Sequence, residues 1–147
     1  MRLLLDVMCG GIAAQLRMCG HDTVYALDRD LEADDEVLEL SRSDDRTLVT
    51  RDRDLSRRAD RSILLESTDP VEQLRELAAA GVSLEIADQP QRCGQCNGSL
   101  RRVDDGTMTP EYAPDPTEEP LWQCRRCGQF FWKGSHWDRV AETLDSL

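Results

Sequence analysis

Four of the six cysteines stand as two C-x-x-C pairs, Cys93 with Cys96 and Cys124 with Cys127. Thiolates at that spacing suit two tight turns, each presenting two sulfurs to one tetrahedral zinc at about 2.3 Å. Gly94, Asn97, Gly98 and Gly128 supply backbone that tolerates such turns. Disulfides and a redox dithiol are the alternatives, but nothing signals export and no thioredoxin-like pattern precedes either pair. Because all four positions are cysteine, the expected zinc site is closed and structural. Cys9 and Cys19 stand apart and read as small buried apolar residues.

The second chemical feature is a set of carboxylates at the ends of short apolar runs. Asp6 directly follows Leu3-Leu4-Leu5, and Asp52 and Asp54 follow Thr47–Thr50. Asp34-Asp35-Glu36 opens a helical pattern. In open parallel sheets, ligands gather beyond the carboxyl ends of the strands. If the first and third strands are neighbours, Asp6 and Asp52 meet at that edge, and a nearby helix start brings in Asp34 or Asp35. Clustered carboxylates repel one another unless a cation neutralises them. Hard oxygen donors suit Mg²⁺ or Mn²⁺, whose chemistry includes hydrolysis of phosphodiesters. The plain alternative is that most aspartates are solvated surface groups or helix caps.

The elements that must position these groups alternate in type. Leu3–Leu5, Thr23–Leu27, Thr47–Thr50 and Ser62–Leu65 read as strands, with a further strand-like run at Ser83–Ile86. Ile12, Ala13, Leu16 and Cys19 recur at helical spacing before Gly20, and Asp34–Ser41 carries a second helix. Asp69-Pro70 opens a third, with Val71, Leu74, Leu77 and Ala78 on one face and Gly81 closing it. Such alternation predicts an α/β domain, three-layered with a mostly parallel sheet, over residues 1–88. Residues 89–147 form the cysteine module. Asp104–Pro120 is a loop rich in Gly and Pro, and a short helix over Ser135–Leu147 closes the chain.

The composition sets bounds. The 147 residues carry 29 acids, 18 basic residues and a formal net charge of −11, and Lys133 is the only lysine. A general nucleic-acid binder is usually basic. Many carboxylates with almost no lysine instead fit a surface adapted to concentrated salt, where charge is screened over about 3 Å at 1 M. In that setting acidity says little against a nucleic-acid substrate. No apolar run approaches the roughly 18 residues of a membrane span, and Met1–Val7 is too short for a signal peptide. The expectation is a soluble, cytoplasmic protein without a membrane partner.

Several runs, taken in order, resemble one family. They are Leu3–Asp6, Leu16-Arg17-Met18-Cys19-Gly20-His21-Asp22, Asp34-Asp35-Glu36-Val37-Leu38, Leu48-Val49-Thr50-Arg51-Asp52 and Phe131-Trp132-Lys133-Gly134-Ser135-His136-Trp137. Together they resemble the Mut-seven C-terminal RNase domain family, a PIN-like nuclease domain joined to a zinc ribbon. The resemblance implies metal-dependent ribonuclease chemistry with RNA as partner, and it admits a protein partner of antitoxin or RNA-processing kind. Carried over by position, the family's acids fall on Asp6, on Asp34 with Asp35 as competitor, on Asp52 and on Asp54. Where the family often has leucine, this chain has Cys9-Gly10-Gly11.

Other residues carry two readings each. Thr50 is either a hydroxyl beside the metal site or a plain strand-end threonine. Arg17 either contacts phosphate or is an exposed helix arginine. Lys133, His136 and Trp137, with Trp132, either face RNA by stacking, hydrogen bonding and charge, or pack the ribbon onto the first domain. Arg51, Arg53, Arg57, Arg58 and Arg61, and likewise Arg101, Arg102, Arg125 and Arg126, either grip phosphates or form salt bridges with neighbouring acids. The functional alternative to a nuclease is a non-catalytic adaptor that binds RNA or protein through the ribbon. A phosphotransfer receiver domain also clusters aspartates at strand ends, but it needs a strand-end lysine and the only lysine lies in the ribbon.

Overall fold

A computed structural model describes residues 1–147. Four parallel strands form the first sheet: β1 (Arg2–Leu5), β2 (Asp22–Tyr25), β3 (Thr47–Thr50) and β4 (Ser62–Leu64), in the order β2-β1-β3-β4. In β1, Leu3, Leu4 and Leu5 are all fully buried. Strands covered on both faces read as continuous apolar runs, which explains the unbroken leucines.

The pleat sends alternate side chains to opposite layers. Leu3 and Leu5 join Val49, Leu16, Leu74 and Leu77 on one face, under α1 (Ala13–Met18) and α4 (Pro70–Ala79). Leu4 joins Leu48, Val37, Leu38 and Leu55 on the other, under α2 (Asp34–Ser43) and α3 (Arg53–Arg58). The result is a helix–sheet–helix α/β fold, as the alternation predicts.

The last helix, α5 (Ser135–Asp145), returns to this core, where Val140 and Leu144 pack in the same cluster as Leu3, Leu5 and Leu16. Between α4 and α5 lies a three-stranded antiparallel sheet of β5 (Leu100–Arg102), β6 (Trp122–Cys124) and β7 (Phe130–Phe131). Val103, Leu121 and Phe130 form its small core. No helix is long and apolar enough to cross a membrane.

Three local elements differ from expectation, and one helix is added. The first helix begins only at Ala13, because Val7–Ile12 is a 3-10 segment broken at Cys9. Gly10 sits there against Tyr25, and a Cβ on it would lie 2.5 Å from the ring. The second strand ends at Tyr25, and Ala26–Arg29 turns away as a 3-10 segment. Ser83–Ile86 is not a strand: its apolar side chains Leu84 and Ile86 pack on the helical layer, and the Ala87 N–H that follows donates to the Met18 carbonyl. Finally, α3 carries only one buried residue, Leu55, so it has no periodicity to announce it.

Candidate functional site

The four cysteine sulfurs lie within 4.8 Å of one another. Cys93 Sγ is 3.7 Å from Cys127 Sγ, and Cys96 Sγ is 3.5 Å from Cys124 Sγ. A tetrahedron with metal–sulfur bonds of about 2.3 Å has edges of about 3.8 Å, so the cage has the size zinc requires. Burial pushes the Cys93 thiol up. Burial also opposes ionisation of Cys124, but the backbone N–H groups of Cys127 and Arg126 donate to its sulfur and bring it down to about 7. Gly98 must be glycine, since a Cβ there would meet Cys124 Sγ at 2.7 Å.

The first knuckle is fastened to the exposed edge of the parallel sheet. Asn97 takes a left-handed backbone (φ +68°) and is buried. Its Oδ1 accepts from the Thr23 N–H at 2.9 Å, and its Nδ2 donates to Asp22 Oδ1 at 2.7 Å. The edge strand β2 thereby finds a partner for a backbone donor that no neighbouring strand supplies. Asp22 also accepts from Arg46 Nη1 at 2.9 Å, with Arg92 at 3.6 Å. Burial works against its charge, but the hydrogen bonds from Arg46 and Asn97 and both guanidinium charges hold its carboxyl at about 2. Spacing identified Asn97 only as a turn residue; its pairing with a strand 74 positions away left no local signal.

Arg17 belongs to the same junction, and the expectation of an exposed helix arginine is corrected. Its side chain is 3 % exposed. Nε donates to the Thr23 carbonyl and Nη1 to the Gly94 carbonyl, while Nη2 lies 4.0 Å from Asp28. It ties α1, β2 and the knuckle together. Burial lowers its pKa.

At the carboxyl edge of the sheet, β1 and β3 are neighbours, which brings Asp6 and Asp52 to one corner through Thr50. Thr50 is buried; its hydroxyl donates to Asp6 Oδ2 at 2.7 Å and accepts from the Asp52 N–H at 3.0 Å. Asp6 Oδ1 accepts from the Val7 N–H, and Asp52 Oδ1 caps α3 by accepting from the N–H groups of Asp54 and Leu55. The second oxygen of Asp52 has no hydrogen-bond partner, and Asp54 is exposed in the first turn of α3. Arg51 Nε is buried at this corner without a partner. Asp34 lies 3.7 Å from Arg58, and Asp35 is hydrogen-bonded to the same guanidinium at 2.8 Å. The four cysteines form the one group of three or more metal-ligating side chains gathered within 4.8 Å; the carboxylates do not converge so closely.

The two remaining cysteines behave as buried apolar groups. Desolvation pushes Cys19 up to about 11 and, aided by the Asp6 charge, does the same to Cys9. Several clustered arginines take the salt-bridge reading: Arg53 faces Glu66, Arg58 faces Asp34 and Asp35, and Arg61 faces Asp45.

In the late aromatic run, Trp132 stacks on Tyr112 with ring centroids 6.3 Å apart. Lys133 donates to the Asp88 carbonyl and lies 5.8 Å from the Trp137 ring centroid. His136 and Trp137 line an open cavity of about 350 Å³ between the ribbon and α1, together with Met18, Gln95 and Phe131. A second cavity, about 340 Å³, adjoins the first knuckle and β2 and shares Gln95 with the first.

Fold and site together define a three-layer α/β domain with a parallel sheet, bearing a zinc-ribbon module and an acidic corner at the sheet's carboxyl edge. The model of the Mut7-C RNAse domain matches residues 1–144, and the chain belongs to that family. No curated protein and no solved structure gave a match.

Proposed function

We propose that the protein is a metal-dependent ribonuclease that hydrolyses RNA phosphodiesters at the Asp6–Thr50–Asp52 corner. The observation that carries this reading is the corner itself, in a chain of an RNase-domain family: one buried hydroxyl joins the Asp6 carboxylate to the backbone N–H of Asp52 at the carboxyl edge of a parallel sheet.

The donor set suits a hard divalent cation at Asp6 and Asp52, whose side-chain donors are all oxygen, with Asp52 exposed to solvent. Asp54 is close in sequence and exposed. Asp34 would join only after leaving Arg58, so it is the outer member of the set. When bound, Mg²⁺ or Mn²⁺ supplies Lewis-acid polarisation of water and of the scissile phosphate. Thr50 holds Asp6 in one rotamer through its 2.7 Å hydrogen bond. The zinc is structural, held by Cys93, Cys96, Cys124 and Cys127. RNA bases are taken by the aromatic cavity, where Trp137 stacks and His136 hydrogen-bonds. Lys133, already bound to the Asp88 carbonyl, contributes its charge rather than a free donor set.

A second reading, an adaptor that binds RNA or protein without cleaving it, is favoured by the spread of the carboxylates and the better-formed cavities beside the ribbon. Incubating a labelled RNA pool with the zinc-loaded protein separates the two. Turnover that appears only with added Mn²⁺ or Mg²⁺ supports the nuclease. Binding without cleavage under every divalent condition supports the adaptor.

A further inference from the structure

We propose that the cleft on the sheet side of the first zinc knuckle is a binding site for the phosphodiester backbone of single-stranded RNA, gripped by Arg29 and Arg126. The proposal rests on the reading of RNA as substrate and names where the strand runs before it reaches the acidic corner.

The cleft has a volume of about 340 Å³ and is lined by Arg17, Arg29 and Arg126 together with Tyr25, Asp28 and Gln95. In a chain with a net charge of −11, its ionisable walls are three guanidiniums against one carboxylate, beside one thiolate of the cysteine cage. Asp28 approaches only Arg17, at 4.0 Å. Neither Arg29 nor Arg126 has a carboxylate oxygen within 4.0 Å; most arginines of the first domain are paired with acids, and Arg29 meets only the Asp44 charge at longer range. Arg126 is held by one hydrogen bond from Nη1 to the Cys96 carbonyl at 3.0 Å, which leaves its other donors to the cleft. Arg29 follows β2 in the turn Ala26–Arg29 and faces the knuckle from the opposite wall. Two guanidiniums flanking a polar slot match the forked geometry with which arginine binds phosphate.

Position favours a strand over an isolated anion. Gln95 is shared by this cleft and the aromatic cavity, so the two adjoin at the knuckle. At the other end, Tyr25 pairs in register with Leu5, the residue before Asp6, and its hydroxyl donates to the Val7 carbonyl at 2.7 Å. A backbone lying in the cleft therefore adjoins both the aromatic cavity, through Gln95, and the segment that bears Asp6, through Tyr25. The competing explanation is that the arginines only offset the negative charge that four thiolates leave on a bound zinc.

The test uses the full, zinc-loaded chain carrying Asp6→Asn, so that turnover does not obscure binding. Fluorescence anisotropy with a labelled single-stranded RNA is read across a salt series for this chain, for added Arg29→Gln/Arg126→Gln, and for added Arg75→Gln. Arg75 lies on α4, pairs with Glu72 and does not line the cleft, so it controls for lost charge. The expected result is a rise in Kd of at least tenfold for the double variant. Its slope of log affinity against log salt should flatten by about 1.4, from about 0.7 per phosphate contact on a single strand. Arg75→Gln should leave both nearly unchanged, and all chains should retain zinc.

Unaltered affinity and slope in the double variant overturn the proposal, as does easier zinc loss without weaker binding, or an equal effect of Arg75→Gln. If the Asp6→Asn chain binds no RNA at all, the underlying RNA reading falls as well. If binding depends on the arginines but the unsubstituted chain cleaves nothing, the cleft stands and only the nuclease fails.

Discussion

Replacing Asn97 by alanine tests whether the zinc ribbon is fastened to the sheet by one side chain. The substitution removes the acceptor of the Thr23 N–H, a donor on a fully buried residue. Leaving such a group unsatisfied costs about 1–3 kcal/mol. It also removes the hydrogen bond to the Asp22 carboxylate at 2.7 Å, an interaction with a charged group worth about 1.5–3 kcal/mol. Alanine at φ +68° adds about 1 kcal/mol of backbone strain that asparagine tolerates better. These effects share atoms and will not add fully, so the expected loss is about 3–5 kcal/mol, a large part of the roughly 5–15 kcal/mol typical of a folded domain. Equilibrium urea unfolding of the zinc-loaded chain, followed by tryptophan fluorescence and circular dichroism, measures it. Asn97→Gly separates the backbone part and should be milder than alanine by about 1 kcal/mol. A loss below about 1 kcal/mol for Asn97→Ala, or identical losses for both variants, would mean that this side chain does not fasten the ribbon to β2.

Three further outcomes are expected. Thr50→Val should slow cleavage about tenfold with little change in KM, because Asp6 loses its orienting donor, while Thr50→Ser should restore most of the rate; steady-state kinetics on labelled RNA checks both. Stripping zinc with a strong chelator should destabilise the α/β domain as well as the ribbon, by several kcal/mol, since Asn97 and the Gly94 carbonyl anchor β2 and Arg17; thermal melts followed at the α-helical band report it. Acid should destabilise the protein in two stages. His21 is lowered by burial, so it folds neutral, and the stability this reflects is present above about 6.5 and declines below it. Asp22 is depressed from 3.8 to about 2, so its contribution, on the order of 2 kcal/mol, is intact above 3.8 and is lost as pH falls towards 2. Asp22→Asn should remove the second stage in a pH series of urea midpoints.

The parts of the fold legible in sequence are those whose cause is local. Leu3-Leu4-Leu5 announces a strand buried on both faces, and α4 shows its cap at Asp69, its Pro70 and its closing Gly81. The cysteine pairs announce their cage because each pair is three residues apart. What stayed hidden depends on partners far along the chain. Arg17 looks like a solvated helix arginine until the Thr23 and Gly94 carbonyls are placed around it. The packing of Val140 and Leu144 against the first strand joins the two ends of the sequence, and no spacing rule reaches that far. Asp52 is ambiguous for a different reason: one side chain both caps α3 and borders the acidic corner, so the local cap and the functional reading use the same residue.

The most direct test of the central claim is single-turnover cleavage of labelled RNA in Mn²⁺ or Mg²⁺ by the unsubstituted chain and by Asp6→Asn and Asp52→Asn. Asp60→Asn, in the bend before β4 at the opposite, amino edge of the sheet, serves as control. Rates should fall on the order of a hundredfold or more for the first two, with folding and zinc content retained, and stay nearly normal for the control. Equal rates in all four chains would contradict the claim.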